Sequence, residues 1–328
     1  MKILITGVAG LIGSHLSRYL INKKYEVHGV DDLSGGYIEN IPDNLYFYPI
    51  DLTDHNKVDN LFIKEKFDAV YHFAAYAAEG LSRYILRHNC NSNILSSMNV
   101  INACVSTGVK RLIFTSSMAV YGDQKPPYTE DLIPHPDDPY GSSKYFVEMI
   151  LQQTNKHFGL EYAILRPHNV VGIYQNIWDR YRNVLGIWIR NVLNHEPITI
   201  FGDGLQTRAF SDIKYCLEPF EKLLTTCGGE IFNIGSDNFY TIKDVADIFI
   251  TIAKKHGYTT SIEHRETRNE IKHAYCDHTK IKSMLDFKDE TDIDSIIEEM
   301  FLWSRTQPDR EVKKLSYEIE KNMYKSWS

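Results

Sequence analysis

Two short stretches carry residue types at spacings that chemistry uses. The first, Gly7-Val8-Ala9-Gly10-Leu11-Ile12-Gly13, follows the apolar run Lys2–Thr6 and opens a helical pattern. Glycine is required where a turn is tight, where backbone must touch a pyrophosphate, and where helix meets sheet. The free N–H groups and the dipole of the following helix then favour phosphate. The spacing is Gly-x-x-Gly-x-x-Gly with no Lys-Ser/Thr after it, which excludes a P-loop. Three glycines alone also suit a plain turn. Asp31, eighteen residues beyond Gly13 at the end of the next apolar run, favours the dinucleotide reading. A carboxylate there bonds a ribose 2′-hydroxyl and repels a 2′-phosphate, so NAD is expected over NADP. Asp32 is the second candidate for that role, and a solvated strand end is the plain reading of Asp31.

The second stretch is Tyr140-Gly141-Ser142-Ser143-Lys144. Its Tyr and Lys, at i and i+4, stack on one helix face, and Pro139 suits the first turn of that helix. The same spacing occurs at Tyr19 and Lys23, where it reads as an ordinary surface pair. Position separates the two. Tyr140 follows the run Arg111–Thr115, whose end carries Ser116, Ser117 and then Val120-Tyr121-Gly122.

The elements that must position these residues alternate along the first half. Lys2–Thr6, Glu26–Asp31, Tyr46–Ile50, Ala69–Phe73, Arg111–Thr115 and Tyr162–Arg166 read as strands, most of them apolar on both faces, as in a buried parallel sheet. Helical stretches such as Leu11–Ile21 and Ile94–Val105 lie between them, the latter stopped by Gly108. The expected fold is α/β: a Rossmann-type doubly wound parallel sheet with a smaller, mixed C-terminal domain. Residues 1–170 are expected to bind the dinucleotide and 171–328 the substrate, with some strands and helices exchanged between the two. In the second part a helix is expected from Thr241, its N-cap, to Gly257. The charged, amphipathic last twenty residues read as a docked segment.

Composition narrows the class. Lys plus Arg is 36 and Asp plus Glu is 43, a net charge of −7, so no basic footprint for nucleic acid is expected. No apolar run approaches the roughly 20 residues of a membrane span. The N-terminus reads as the opening strand of a domain, so no secretory signal is expected. The five cysteines show no Cys-x-x-Cys pair and the thirteen histidines no His-Glu-x-x-His, so no metal site is expected. Unpaired thiols suit the cytoplasm.

The ordered motifs resemble the extended short-chain dehydrogenase/reductase family, and within it the nucleotide-sugar epimerases and dehydratases. The matches are Gly7–Gly13, Asp51-Leu52, His72-Phe73-Ala74-Ala75, Thr115–Gly122, Tyr140–Lys144, Leu165–Asn169, Phe201–Gly204, Arg208 and Phe232–Gly235. The resemblance implies that Tyr140 is the base on a sugar hydroxyl. Lys144 holds the cofactor ribose and lowers the phenol's pKa, ordinarily about 10. Ser117 completes the triad, with Ser116 one residue away as the alternative. It further implies that Gly7, Gly10, Leu11, Ile12, Gly13, Asp31, Asp32, Asp51, Leu52, Phe73, Ala74, Ala75 and Asn93 hold NAD together with Tyr140 and Lys144. A nucleotide sugar, UDP-linked by the same resemblance, would meet Ser117, Met118, Tyr140, Asn169, Asn183, Val184, Phe201, Arg208 and Glu270. The dehydratases carry Asp-Glu after their Thr or Ser, where this chain has Met118 and Ala119, which do no acid–base work. The implied reaction is therefore 4-epimerisation of a UDP-hexose through a 4-keto sugar that rotates before the hydride returns. A 3,5-epimerase or reductase is the second reading and a non-catalytic binder the third.

Some residues depart from the family pattern. Glu79 stands near the position of a ribose-binding lysine, either as an acid facing the sugar or as a helix-start carboxylate. Arg180 and Arg182 either clamp a pyrophosphate or pair with surface acids. Ala274, or Tyr275 if the alignment shifts by one, occupies the place of a bulky tyrosine beside the sugar's C2 substituent. Alanine there would admit N-acetylhexosamines. A homodimer is expected through helices at Ser92–Val105 and Ser142–Phe158, with Ile94, Met98, Ile101, Val147, Ile150 and Leu151 as apolar surface, any of which could instead face the subunit's own core.

Overall fold

Strands β1 (Lys2–Thr6), β2 (Glu26–Asp31), β3 (Tyr46–Pro49), β4 (Ala69–His72), β5 (Arg111–Thr115) and β6 (Glu161–Pro167) occur within one residue of their expected bounds. They belong to a computed structural model that describes residues 1–181, 183–268, 270–311 and 315–324. All six run parallel, and a seventh strand, Glu230–Ile234, pairs with β6. The order across the sheet is β3, β2, β1, β4, β5, β6 and then Glu230–Ile234. The chain therefore reverses direction across the sheet between β1 and β4, and a doubly wound sheet opens its ligand crevice at that point.

The apolar character of both strand faces has a direct cause. Ile3 and Ile5 enter one core with Leu16 and Leu20 of the helix Leu11–Asn22 and Phe220 of the helix Ile213–Lys222. Leu4, between them, enters the opposite core with Val58 and Phe62 of the helix His55–Glu65 and with Val147 and Leu151. Both sides of the sheet are thus covered by helices.

The stretch expected as one helix over Ile94–Val105 is a π-helical segment, Cys90–Leu95, running into an α-helix, Ser96–Thr107. Gly108 ends it at φ +75°, the left-handed conformation that suits glycine. Of the two places open to them, Ile101, Val147 and Leu151 take the molecule's own core rather than an outer surface. Their helices pack against the sheet through these faces.

The second half holds a third core, with Trp188, Ile189, Phe249 and Phe301 among its members. Thr241 caps the helix Ile242–Lys255 through a reciprocal box with Asp244, ahead of Gly257 at φ +85°. Residues 315–324 dock on the body: Glu318 accepts from the backbone N–H groups of Arg87 and His88 at 2.8 and 3.0 Å. Among the described residues no helix is long and apolar enough to cross a membrane.

Candidate active site

A cleft of about 1320 Å³ opens where the turns after β1, β2, β4, β5 and β6 converge. Its floor is the glycine turn. Gly7, at φ +70°, donates to the Val30 carbonyl at 2.8 Å and leaves no room for a side chain beside Ala74. A Cβ on Gly13 would collide with the Gly7 carbonyl oxygen. The glycines let the helix start hard against the strand end, with backbone N–H groups at the cleft. Asp31 accepts from the N–H of Ala9 at 3.0 Å and of Leu33 at 2.8 Å. Its carboxylate is thereby fixed beside the turn, although burial raises its pKa. Asp32 bonds Ser34 and is exposed. Asp51, Leu52, Leu11, Ile12, Phe73, Ala74 and Ala75 line the same end. These residues fit a dinucleotide: a bare backbone cradle for the diphosphate and a carboxylate for the ribose.

Asn93 stands apart. Buried behind the cleft wall, its side chain accepts from the N–H of Tyr76 at 2.8 Å and donates to that residue's carbonyl at 3.2 Å. It shapes the segment after β4 rather than lining the cleft.

Tyr140 and Lys144 sit in the first turns of the helix Pro139–Phe158. The local sequence builds that start: Asp138 caps it, accepting from Gly141 N–H at 2.9 Å, and proline occupies N1. Tyr140 is 8% exposed and Lys144 is 3% exposed. The ammonium donates to the Thr115 carbonyl at 2.9 Å and lies 5.9 Å from the Tyr140 ring centroid. Burial pulls Lys144 down to about 7, against a weaker upward pull from Glu148. His72, pushed down to about 3 by its own burial and by Lys144, is neutral and bridges Thr6 and Ser97. Ser117 accepts from Ala119 N–H at 3.1 Å, which leaves its O–H to donate into the cleft. The Ser116 hydroxyl is buried without a partner among the described residues. Both serines line the cleft, as does Met118.

The opposite wall comes from the second half. Asn183, at φ +61°, caps the helix Val184–Leu193, accepting from Leu185 and Gly186 N–H at 3.1 and 3.4 Å. Asparagine tolerates that backbone better than most residues. Asn169, at φ +39°, donates to the Ala209 carbonyl at 2.9 Å. Arg208 donates to the Thr207 carbonyl at 2.9 Å and pairs with Glu270 at 3.5 Å. The Arg268 guanidinium lies 3.4 Å over the Phe201 ring centroid, and burial holds it down to about 10. Val184, Arg180 and Ala274 also line the cleft, whereas Tyr275 stacks on Phe239 with ring centroids 4.4 Å apart. Arg182 lies outside the described residues.

Sequence reasoning passed over Asp138, although Asp-Pro before a helical pattern is a capping signal. The stacking of Arg268 on Phe201 comes from tertiary folding and has no local signature.

The family model for the NAD-dependent epimerase/dehydratase family matches residues 3–235. A UDP-glucuronate 4-epimerase of Thermodesulfobacterium geofontis is 28% identical over 316 residues, covering 92% of this chain and 95% of that one. The crystal structure of a UDP-glucose 4-epimerase from Thermotoga maritima with UDP-glucose superposes with a TM-score of 0.88 at 30% identity, over 93% of this chain and 99% of that one. A Thermus thermophilus UDP-glucose 4-epimerase with NAD gives 0.86 at 26% identity, over 93% and 99%. The chain belongs to the NAD-dependent epimerase/dehydratase family.

Proposed function

We propose that the protein is an NAD-dependent UDP-sugar 4-epimerase acting on UDP-hexoses or UDP-N-acetylhexosamines. The observation that carries this is the set Tyr140, Lys144 and Ser117 in a cleft where the serine is followed by Met118 and Ala119. Neither side chain protonates a leaving hydroxyl or removes a C5 proton, so dehydration is disfavoured and chemistry at a single carbinol remains. The glycine turn Gly7–Gly13 and Asp31 would hold NAD, which would supply a reversible hydride acceptor for C4 of the sugar.

The chain's own residues supply the rest. Tyr140 takes the O4 proton and gives it back, and the nearby ammonium of Lys144 favours the phenolate that this requires. Ser117 donates to the same sugar oxygen. Asn183 with the helix start at Val184, and Arg208 with Glu270, hold the diphosphate and uridine side. Ala274, small at the cleft wall, leaves room for an N-acetyl group at C2. The cofactor lobe in this reading is 1–170 plus the helix and strand between 213 and 235; the remainder binds the nucleotide sugar. A cytoplasmic homodimer is proposed as its working form.

The test is incubation of the NAD-loaded protein with UDP-glucose and UDP-N-acetylglucosamine in deuterated water, read by proton NMR. The expected products are the C4 epimers, with no deuterium at C3 or C5 and no net change in NADH. Deuterium at those carbons would replace the reading with a 3,5-epimerase, and stoichiometric loss of NADH in a parallel incubation supplied with NADH would replace it with a reductase.

A further inference from the structure

The loop after β2 closes the cofactor end of the cleft, which Asp32, Ser34, Gly35 and Gly36 line. Ser34-Gly35-Gly36 is permissive backbone, so its neighbours decide where it sits. On the inner side the loop lies on the glycine turn. The Tyr37 N–H donates to the Ala9 carbonyl at 3.4 Å, and the buried Asn40 amide donates to the same oxygen at 2.9 Å. Gly36 leaves no room for a side chain beside Ala9. On the outer side the partners come from two distant segments. Asn176, in the second half, donates to the Gly35 carbonyl at 3.0 Å and accepts from the Tyr37 hydroxyl at 3.1 Å. Arg310 follows the helix Ile293–Ser304. Its guanidinium lies 4.0 Å from the Tyr37 ring centroid and 5.3 Å from that of Trp178. The two rings meet edge to face, 5.2 Å apart. Arg310 also donates to Glu39 at 2.9 Å.

We infer that Arg310 is a clasp on the cofactor, a positioning residue that holds the loop after β2 against the bound dinucleotide and slows its escape. Arg310 meets that loop at two residues, Tyr37 by stacking and Glu39 by charge, and meets the wall behind it at Trp178. A flat cation over aromatic faces with a carboxylate at its edge is a contact that lysine does not reproduce. Lifting the loop to release the dinucleotide breaks these contacts together with the bonds of Asn176. Their loss is therefore expected in the rate of release more than in the rate of association. In the reaction proposed above, the reduced cofactor must stay in place while the keto sugar turns, and a slow exit serves that need. The inference itself requires only a dinucleotide in the cleft, so it stands or falls apart from the sugar chemistry.

The experiment loads the full chain with NADH, mixes it with a large excess of NAD and follows release by the loss of bound NADH fluorescence. Arg310→Ala should release NADH about tenfold faster than wild type, with little change in the association rate. Arg310→Lys, which keeps a charge for Glu39 but no flat group for Tyr37, should fall between the two. Arg305→Ala is the control: Arg305 caps the same helix and lies 5.8 Å from the Tyr258 ring centroid, so its loss should leave release at the wild-type rate. Release from Arg310→Ala at the wild-type rate overturns the inference. So does an equal acceleration in Arg305→Ala, which would mark a general loosening of the molecule. If Arg310→Ala does not fold, Arg310→Lys decides alone, and an unaltered release rate there overturns the inference. Faster release from Arg310→Ala in a protein that epimerises no UDP-sugar sustains the clasp and refutes only the proposed reaction. Failure of the wild type to bind NADH overturns the clasp.

Discussion

At the residue scale the cleft is governed by Lys144, a charge held in poor surroundings for the sake of its neighbour. Its ammonium has one carbonyl partner, Thr115, and lies against the Phe114 and Tyr140 rings. With its folded-state pKa near 7 and an unfolded value of about 10.4, the unfolded chain holds this proton more tightly. The lysine therefore lowers stability below about pH 7, and that loss is recovered as pH rises toward 10. Lys144→Met should stabilise the cofactor-free protein by on the order of 1–2 kcal/mol at pH 6, read as a higher thermal midpoint, and the gain should shrink by pH 9. The same variant should lose turnover, and a midpoint difference that grows with pH would reverse the assignment. Tyr140→Phe should keep fold and NAD binding while turnover falls by roughly 10²–10⁴-fold. Tyr19→Phe, which removes bonds to Glu221 and Lys23 away from the cleft, should leave turnover unaltered. Asp31 predicts NAD binding at least tenfold tighter than NADP, read by direct titration, with Asp31→Ala closing most of that gap.

At the element scale the helix Pro139–Phe158 is fixed at two points. Asp138 sets its start, and one turn beyond Lys144 the buried Glu148 accepts from Arg166 of β6 at 3.0 and 2.6 Å. Arg166 also donates to the Tyr121 hydroxyl at 2.9 Å, so β6, the turn after β5 and the catalytic helix are locked together. Arg166→Met leaves Glu148 buried without its partner and should cost about 3–5 kcal/mol. Adding Glu148→Leu should recover most of that loss in a denaturant titration, and a further loss in the double variant would contradict the pairing. This lock shows where sequence reading stops. The glycine turn, Asp31 and the Tyr140–Lys144 pair were legible because each is local, a matter of spacing within one turn or one strand end. The strands were legible from residues such as Ile3, Leu4 and Ile5, apolar on both faces. Glu148 and Arg166 are eighteen residues apart on different elements, and neither has a neighbour that announces the other. Asn93 behind the wall, and Ala274 rather than Tyr275 at the cleft, likewise depend on packing between distant segments.

At the scale of the whole molecule, the helices expected to pair two subunits present Leu95 (42% exposed), Phe146 and Phe158 (71% exposed) outward. Apolar side chains of that size on adjacent helices suit a helical interface. Sedimentation at micromolar concentration should give a species near twice 38.0 kDa, and a single 38.0 kDa boundary would refute the dimer. The strand Glu230–Ile234 has a consequence for how the molecule is made. β6 is complete at Pro167, yet its hydrogen-bonding neighbour lies more than sixty residues later in the chain. During synthesis the ribosome must deliver residues past Ile234 before that edge is paired. Throughout the interval, Ala163, Ile164 and Leu165 stand on an open strand of the kind that recruits other chains. A first half released early would carry the cofactor turn and Tyr140 on a sheet with a sticky border, a natural client for chaperones and a poor candidate for expression alone.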